Sequence, residues 1–166
     1  MGVHLSSLFG SREEILKKAG MKLQEIMNVK ESRIYVMDRE ADSLVGFDKD
    51  GVWTTFAKDV GIAGHVFQTG LPEQLLNPYN SKLFNSKIDL DVSIPLLSWP
   101  IKVREKKETI LGVMEVPNLK AFEGLPSGQN VKPDYHLVQV LNFFSKQLAQ
   151  TLLNNEKYLS VRSSLE

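Results

Sequence analysis

Two apolar runs, residues 96–103 and 109–117, are separated only by the charged tip 104–108. A connection that short closes an antiparallel hairpin, whereas parallel strands need a crossover of a dozen or more residues. The same constraint recurs earlier. Residues 33–37 and 43–47 are apolar and β-branched runs joined by the polar link 39–42, and the turn signal Lys49, Asp50 and Gly51 leads into 52–57, rich in Trp, Thr and Phe. Five strands linked in this way predict a mainly antiparallel sheet.

Helices bracket it. Ser11 with Glu14 three residues later forms a capping box, and Ile15, Ala19, Leu23 and Ile26 follow at steps of three and four, one apolar stripe of a helix. At the other end Pro133 and Asp134 open a long helix in which Leu137, Leu141, Phe144, Leu148, Leu152 and Asn155 fall along one side. The fold expected is α+β, with the two terminal helices on one sheet face and the irregular middle on the other. That middle is a short glycine-bracketed helix over 61–70 and a loop over 71–92 carrying Pro72 and Pro78. A loop of such length in a compact domain is usually functional.

At 166 residues with 42% apolar and 24% charged side chains, one core suffices. The chain is read as a single domain, 1–166 with its core over about 11–158, expected to be part of a larger regulatory protein. Twenty basic residues balance twenty acidic ones, so neither nucleic acid nor a membrane surface is expected as a partner. With no cysteine, disulfides, thiolate metal sites and thiol nucleophiles are excluded. No signal peptide or long apolar span is evident, and a cytoplasmic location is expected.

His4, His65 and His136 lie far apart without a second ligand at helical spacing, so no metal is expected, nor any resident cofactor. No nucleophile elbow, phosphate loop or zinc-protease spacing occurs, which leaves no candidate catalytic residue.

The run Gly61, Ile62, Ala63, Gly64, His65 and Val66, on to Thr69 and Gly70, resembles GAF domains, especially those of cyclic-nucleotide phosphodiesterases and related cyclases. The resemblance continues through 97–101 and 110–115. It implies a small-molecule-binding regulatory sensor with a cyclic nucleotide, cGMP or cAMP, as leading ligand, signalling through terminal helices that pair two copies. The reductases of this family that act on free methionine sulfoxide work through cysteines, which this chain lacks.

Glycine beside Ile62 and Ala63 allows close backbone approach, and the helix start aims free N–H groups at an anion; a tight strand-to-helix junction explains the same glycines. By resemblance, Phe47 would stack on a purine and Asp48 would hydrogen-bond it; the alternative is a core Phe beside a turn Asp. Asp89, Asp91 and Ser93 fall where relatives place polar ligand contacts, and Glu115 matches a strand glutamate that faces the pocket, or else points outward. Arg33 replaces a small hydroxyl residue at the base-binding end. The family's Asn-Lys, Phe and Asp-Glu series is broken here, with Leu119 between Asn118 and Lys120, Phe122 close behind, and Asp134 followed by Tyr135. The seam from Leu137 to Leu152 approximates a heptad, which suits a homodimer, or only the face against the sheet. A dimerisation module whose pocket is filled by its own side chains is therefore the competing function.

Overall fold

The computed structural model describes residues 11–91, 95–104, 106–118 and 135–165, with side chains described as far as 157. Helix α1 (Arg12–Met27) starts as expected: Ser11 Oγ accepts from Glu14 N at 3.1 Å. It stops at Asn28, whose left-handed conformation (φ 54°) lets its N–H reach the carbonyls of Gln24 and Glu25.

Strands β1 (Arg33–Asp38), β2 (Ser43–Phe47) and β3 (Trp53–Ala57) form the predicted meander. Helix α2 (Gly61–Thr69) follows, capped by Gly70 at φ 70°. The hairpin of β5 (Leu96–Arg104) and β6 (Glu108–Pro117) then adds to the free side of β1. The expected loop holds more order than its composition suggests. Glu73–Leu75 forms a sixth strand, β4, on the outer edge of β5, and Pro78–Asn80 forms a 3₁₀ turn capped by the Asn77 side chain. Three residues without apolar alternation carry no periodic signal, so only the waiting edge of β5 makes them a strand. The sheet order is β3-β2-β1-β6-β5-β4, and every pairing is antiparallel.

Helix α3 (Tyr135–Leu165) lies with α1 on one sheet face. Its 31 residues span about 46 Å at 1.5 Å per residue, against about 33 Å for the ten residues of β6. Pro133 and Asp134 lie outside the described residues.

Apolar side chains are buried on both faces of the central strands, which is why β5 and β6 read as nearly continuous apolar runs. Towards the terminal helices, Ile34, Val36, Leu97, Trp99, Met114 and Val116 pack with Leu16 and Leu23 of α1 and Leu141, Leu148 and Leu152 of α3. Towards α2, Tyr35, Leu44, Leu96 and Val113 pack with Ile62, Ala63 and Val66, and with Ile88 and Leu90.

The heptad-like seam of α3 is thereby consumed inside one chain. Leu141, Phe144, Leu148 and Leu152 are buried against the chain's own sheet, and Asn155 is buried with them. Of the two readings of this seam, these contacts are those of the face against the sheet, which is tethered to it.

Candidate functional site

Gly61 takes φ +76° where β3 hands over to α2, a conformation that costs a side-chain-bearing residue energy. Its other demand is space, because an added Cβ would stand 2.5 Å from Ile88 Cγ2 and 2.7 Å from Asp89 Oδ2. The glycine therefore serves both a junction and a close approach, and what approaches is the chain itself.

Val60, at the N-cap of α2, offers no side-chain cap. The amides of the first turn are satisfied instead by Asp89, whose Oδ2 accepts from Ile62 N at 2.8 Å and whose Oδ1 accepts from Ala63 N at 2.9 Å. Asp89 Oδ2 also accepts from Asn85 N at 2.9 Å. A carboxylate at a helix N-terminus, taking three N–H donors, is a favourable place for a buried negative charge. The side chain is only 2% exposed.

The segment around it is clamped twice more. Tyr35 of β1 donates its hydroxyl to the Ile88 carbonyl, and Leu90 N donates to Glu115 Oε1 at 3.0 Å. Burial, with the neighbouring Glu115 adding to it, pushes the Tyr35 hydroxyl well above the ordinary tyrosine range, so it remains a donor. Glu115 is fully buried. Burial first, then the charge of Asp89, raises it well above the ordinary carboxyl range, which favours its protonated form. Glu115 Oε2 lacks a partner of good hydrogen-bond geometry, as does Ser98 Oγ opposite it in register; the Asp89 and Ser98 side chains are nevertheless close enough to bias the proton of Glu115.

The sequence-derived candidates thus divide. Gly61, Ile62, Ala63, Asp89 and Glu115 meet between the sheet and α2. Phe47 does not join them: it packs on the terminal-helix side, edge-on to Trp53 with ring centroids 5.1 Å apart. A strand's side chains alternate between faces, and Phe47 falls with Val45 on the far one, so the stacking expectation is corrected. Asp48 is spent on its own turn, accepting from Asp50 N, Val52 N and Thr54 Oγ1. These bonds, that from Val52 first, hold its carboxyl below the ordinary range. Arg33 sits opposite Glu115 in register, but its guanidinium donates to the Ser32 carbonyl, beside a shallow depression lined by Leu16, Gln24 and Phe47. Asp91 is exposed and accepts from the Tyr79 hydroxyl at 2.5 Å. Ser93 lies outside the described residues, as do Lys120, Phe122 and Asp134.

Sequence reasoning missed Tyr35, Ile88 and Leu90. The signal present was the alternation Ile88, Asp89, Leu90, Asp91 inside an otherwise irregular loop. Among the described residues no group of three or more His, Asp or Glu is placed to hold a metal ion, and no helix is long and apolar enough to cross a membrane.

A second feature lies across the sheet. A groove of about 660 Å³ runs between α1 and α3, floored by Ile15, Ala19, Val140, Phe144 and Leu148, with Phe143 on its rim. Phe143 is 67% exposed, and Met21 and Ile26 of α1 are exposed as well.

No protein-family model matches the chain, and no curated protein matches it. Solved structures do. The GAF domain of a phosphoenolpyruvate-protein phosphotransferase from Acinetobacter is 16% identical with a TM-score of 0.66, covering 94% of this chain and 92% of that one. The second GAF domain of DevS from Mycobacterium smegmatis is 15% identical with a TM-score of 0.56, covering 91% and 97%. A free methionine-R-sulfoxide reductase from Neisseria meningitidis, solved with its substrate, is 13% identical with a TM-score of 0.61, covering 92% and 86%. At these identities the likeness establishes the GAF fold, and the narrower resemblance to phosphodiesterases and cyclases is not carried by it.

Proposed function

We propose that this chain is a regulatory dimerisation module that works through its α1 and α3 surface, while the space on its α2 side is filled by its own residues. The observation that carries this reading is the contrast at hand: Asp89, Ile88 and Leu90 occupy the place under α2, whereas the α1/α3 groove stays open and apolar. Exposed aromatic surface beside an apolar groove is a poor arrangement for a lone molecule. A two-fold pairing seats each protomer's Phe143 in the groove of its partner, an interface formed by the same patch on both copies.

The rigid path for a signal is α3, anchored by Leu141, Leu148 and Leu152 and extending to Leu165, so a change in how two copies pack is carried along that helix. The fold is shared with GAF domains of a phosphotransferase and of DevS and also with a methionine-R-sulfoxide reductase, so the regulatory reading rests on the contrast between the two faces rather than on the fold.

Sedimentation velocity tests this. The wild type should sediment as a dimer at micromolar concentration, and Phe143→Asp should weaken association at least tenfold, about 1.4 kcal/mol, while monomer stability moves by no more than about 0.5 kcal/mol. A monomeric wild type sinks the pairing. Thermal melting with cGMP or cAMP addresses the sensor alternative: a saturable rise in midpoint means that the α2 side opens to ligand.

A further inference from the structure

The space under α2 is filled by a group of one particular chemistry. Each oxygen of the Asp89 carboxylate takes a different amide of α2, Ile62 N at 2.8 Å and Ala63 N at 2.9 Å, and the Asn85 amide adds a third donor at 2.9 Å. Gly61, at φ +76°, removes the side chain that would block this approach. From the sheet below, the fully buried carboxyl of Glu115 faces the same spot, with one oxygen fixed by Leu90 N and the other lacking a well-placed partner. The two α2 amides, with the buried Glu115 carboxyl facing them from the sheet, make a cradle matched to a flat, two-oxygen anion, and the Asn85 amide belongs to the segment that fills it.

We propose that this cradle is a carboxylate-binding site and that the 85–91 segment is its built-in ligand, with Asp89 standing where a small free carboxylate binds. This deepens the filled-pocket reading of the α2 side and is independent of how the terminal helices pair. Ile88 and Leu90, both fully buried, anchor the built-in ligand on either side, so free anions do not displace it from the intact chain.

Chemical rescue tests the assignment. Asp89→Gly removes the carboxylate and leaves room for acetate, whose two carbons replace Cβ and Cγ. Melting of this variant in sodium acetate, sodium chloride and the bulkier sodium trimethylacetate, at equal ionic strength, should show a midpoint about 2–4 °C higher in acetate at tenfold excess over its dissociation constant. The wild type should not distinguish the three salts. Equal behaviour of Asp89→Gly in all three, including failure to fold in any, overturns the proposal. Asp89→Asn, which keeps the shape, provides a second reading. The Ile62 and Ala63 amide protons should exchange with solvent at least tenfold faster than in the wild type, and unchanged exchange overturns it too. A wild type that binds cGMP while Asp89→Gly still responds to acetate would sink the filled-pocket reading and leave the cradle standing.

Discussion

The two faces of the sheet solve opposite problems. On the α2 side the chain buries polar groups: Asp89 and Glu115 sit beneath a helix start, where Asp89 accepts from three amides, Glu115 accepts from Leu90 N, and the Tyr35 hydroxyl holds the Ile88 carbonyl. On the α1/α3 side it leaves apolar surface in the open, with Phe143 and Met21 exposed beside a groove. A polar group pulled out of water must be satisfied on the spot, whereas apolar area left in water costs little per residue and can await a partner. External partners are therefore to be sought on the open face, which the proposed reading makes the interface.

The largest effect that breaks this comparison falls at Gly61. Gly61→Ala should destabilise by about 3 kcal/mol, combining a left-handed backbone penalty of roughly 1–2 kcal/mol with displacement of Ile88 and Asp89. Urea unfolding measures it, and a loss below about 1 kcal/mol would mean that the 85–91 segment yields easily and the α2 side is not closed. Next comes Tyr35→Phe, which leaves the buried Ile88 carbonyl without its donor and should cost about 1.5 kcal/mol. The same variant should leave the sedimentation of the dimer unchanged, since Tyr35 faces away from the terminal helices.

The smallest effect depends on pH. The folded-state titration of Glu115 is raised, so folding binds its proton and the stability tied to that proton is lost as pH rises from about 4.5 towards the raised value. Glu115→Gln removes this dependence and keeps a donor for Asp89. Its stability advantage over the wild type should grow with pH above the ordinary carboxyl range, measured by urea unfolding at a series of pH values. An advantage that shrinks with pH would mean an ionised, paired Glu115.

Much of the fold was legible. Ser11 and Glu14 announced the start of α1, the short links announced the hairpins, and Gly61 and Gly70 bracketed α2. Each of these signals is local, acting over three or four residues, and local geometry is what sequence spacing encodes. The candidate site was legible in part. Asp89 was visible as a polar residue in a suspect loop, but nothing nearby in sequence reveals that it spans to Ile62 and Ala63, more than twenty residues away. Phe47 was misread for a related reason: a five-residue strand with apolar side chains on both faces gives no clue to which face looks at a pocket.

The amino-acid order alone was enough for the three helices, five of the six strands, their antiparallel linkage and the apolar stripe of α3, while β4 needed the edge of β5. Only the tertiary structure decided that Asp89 would satisfy the amides of α2 and that Leu141 to Leu152 would face inward, leaving Phe143 outside. Hydrogen-bond partners and burial are properties of distance in space, and a chain acquires those distances only when its layers close.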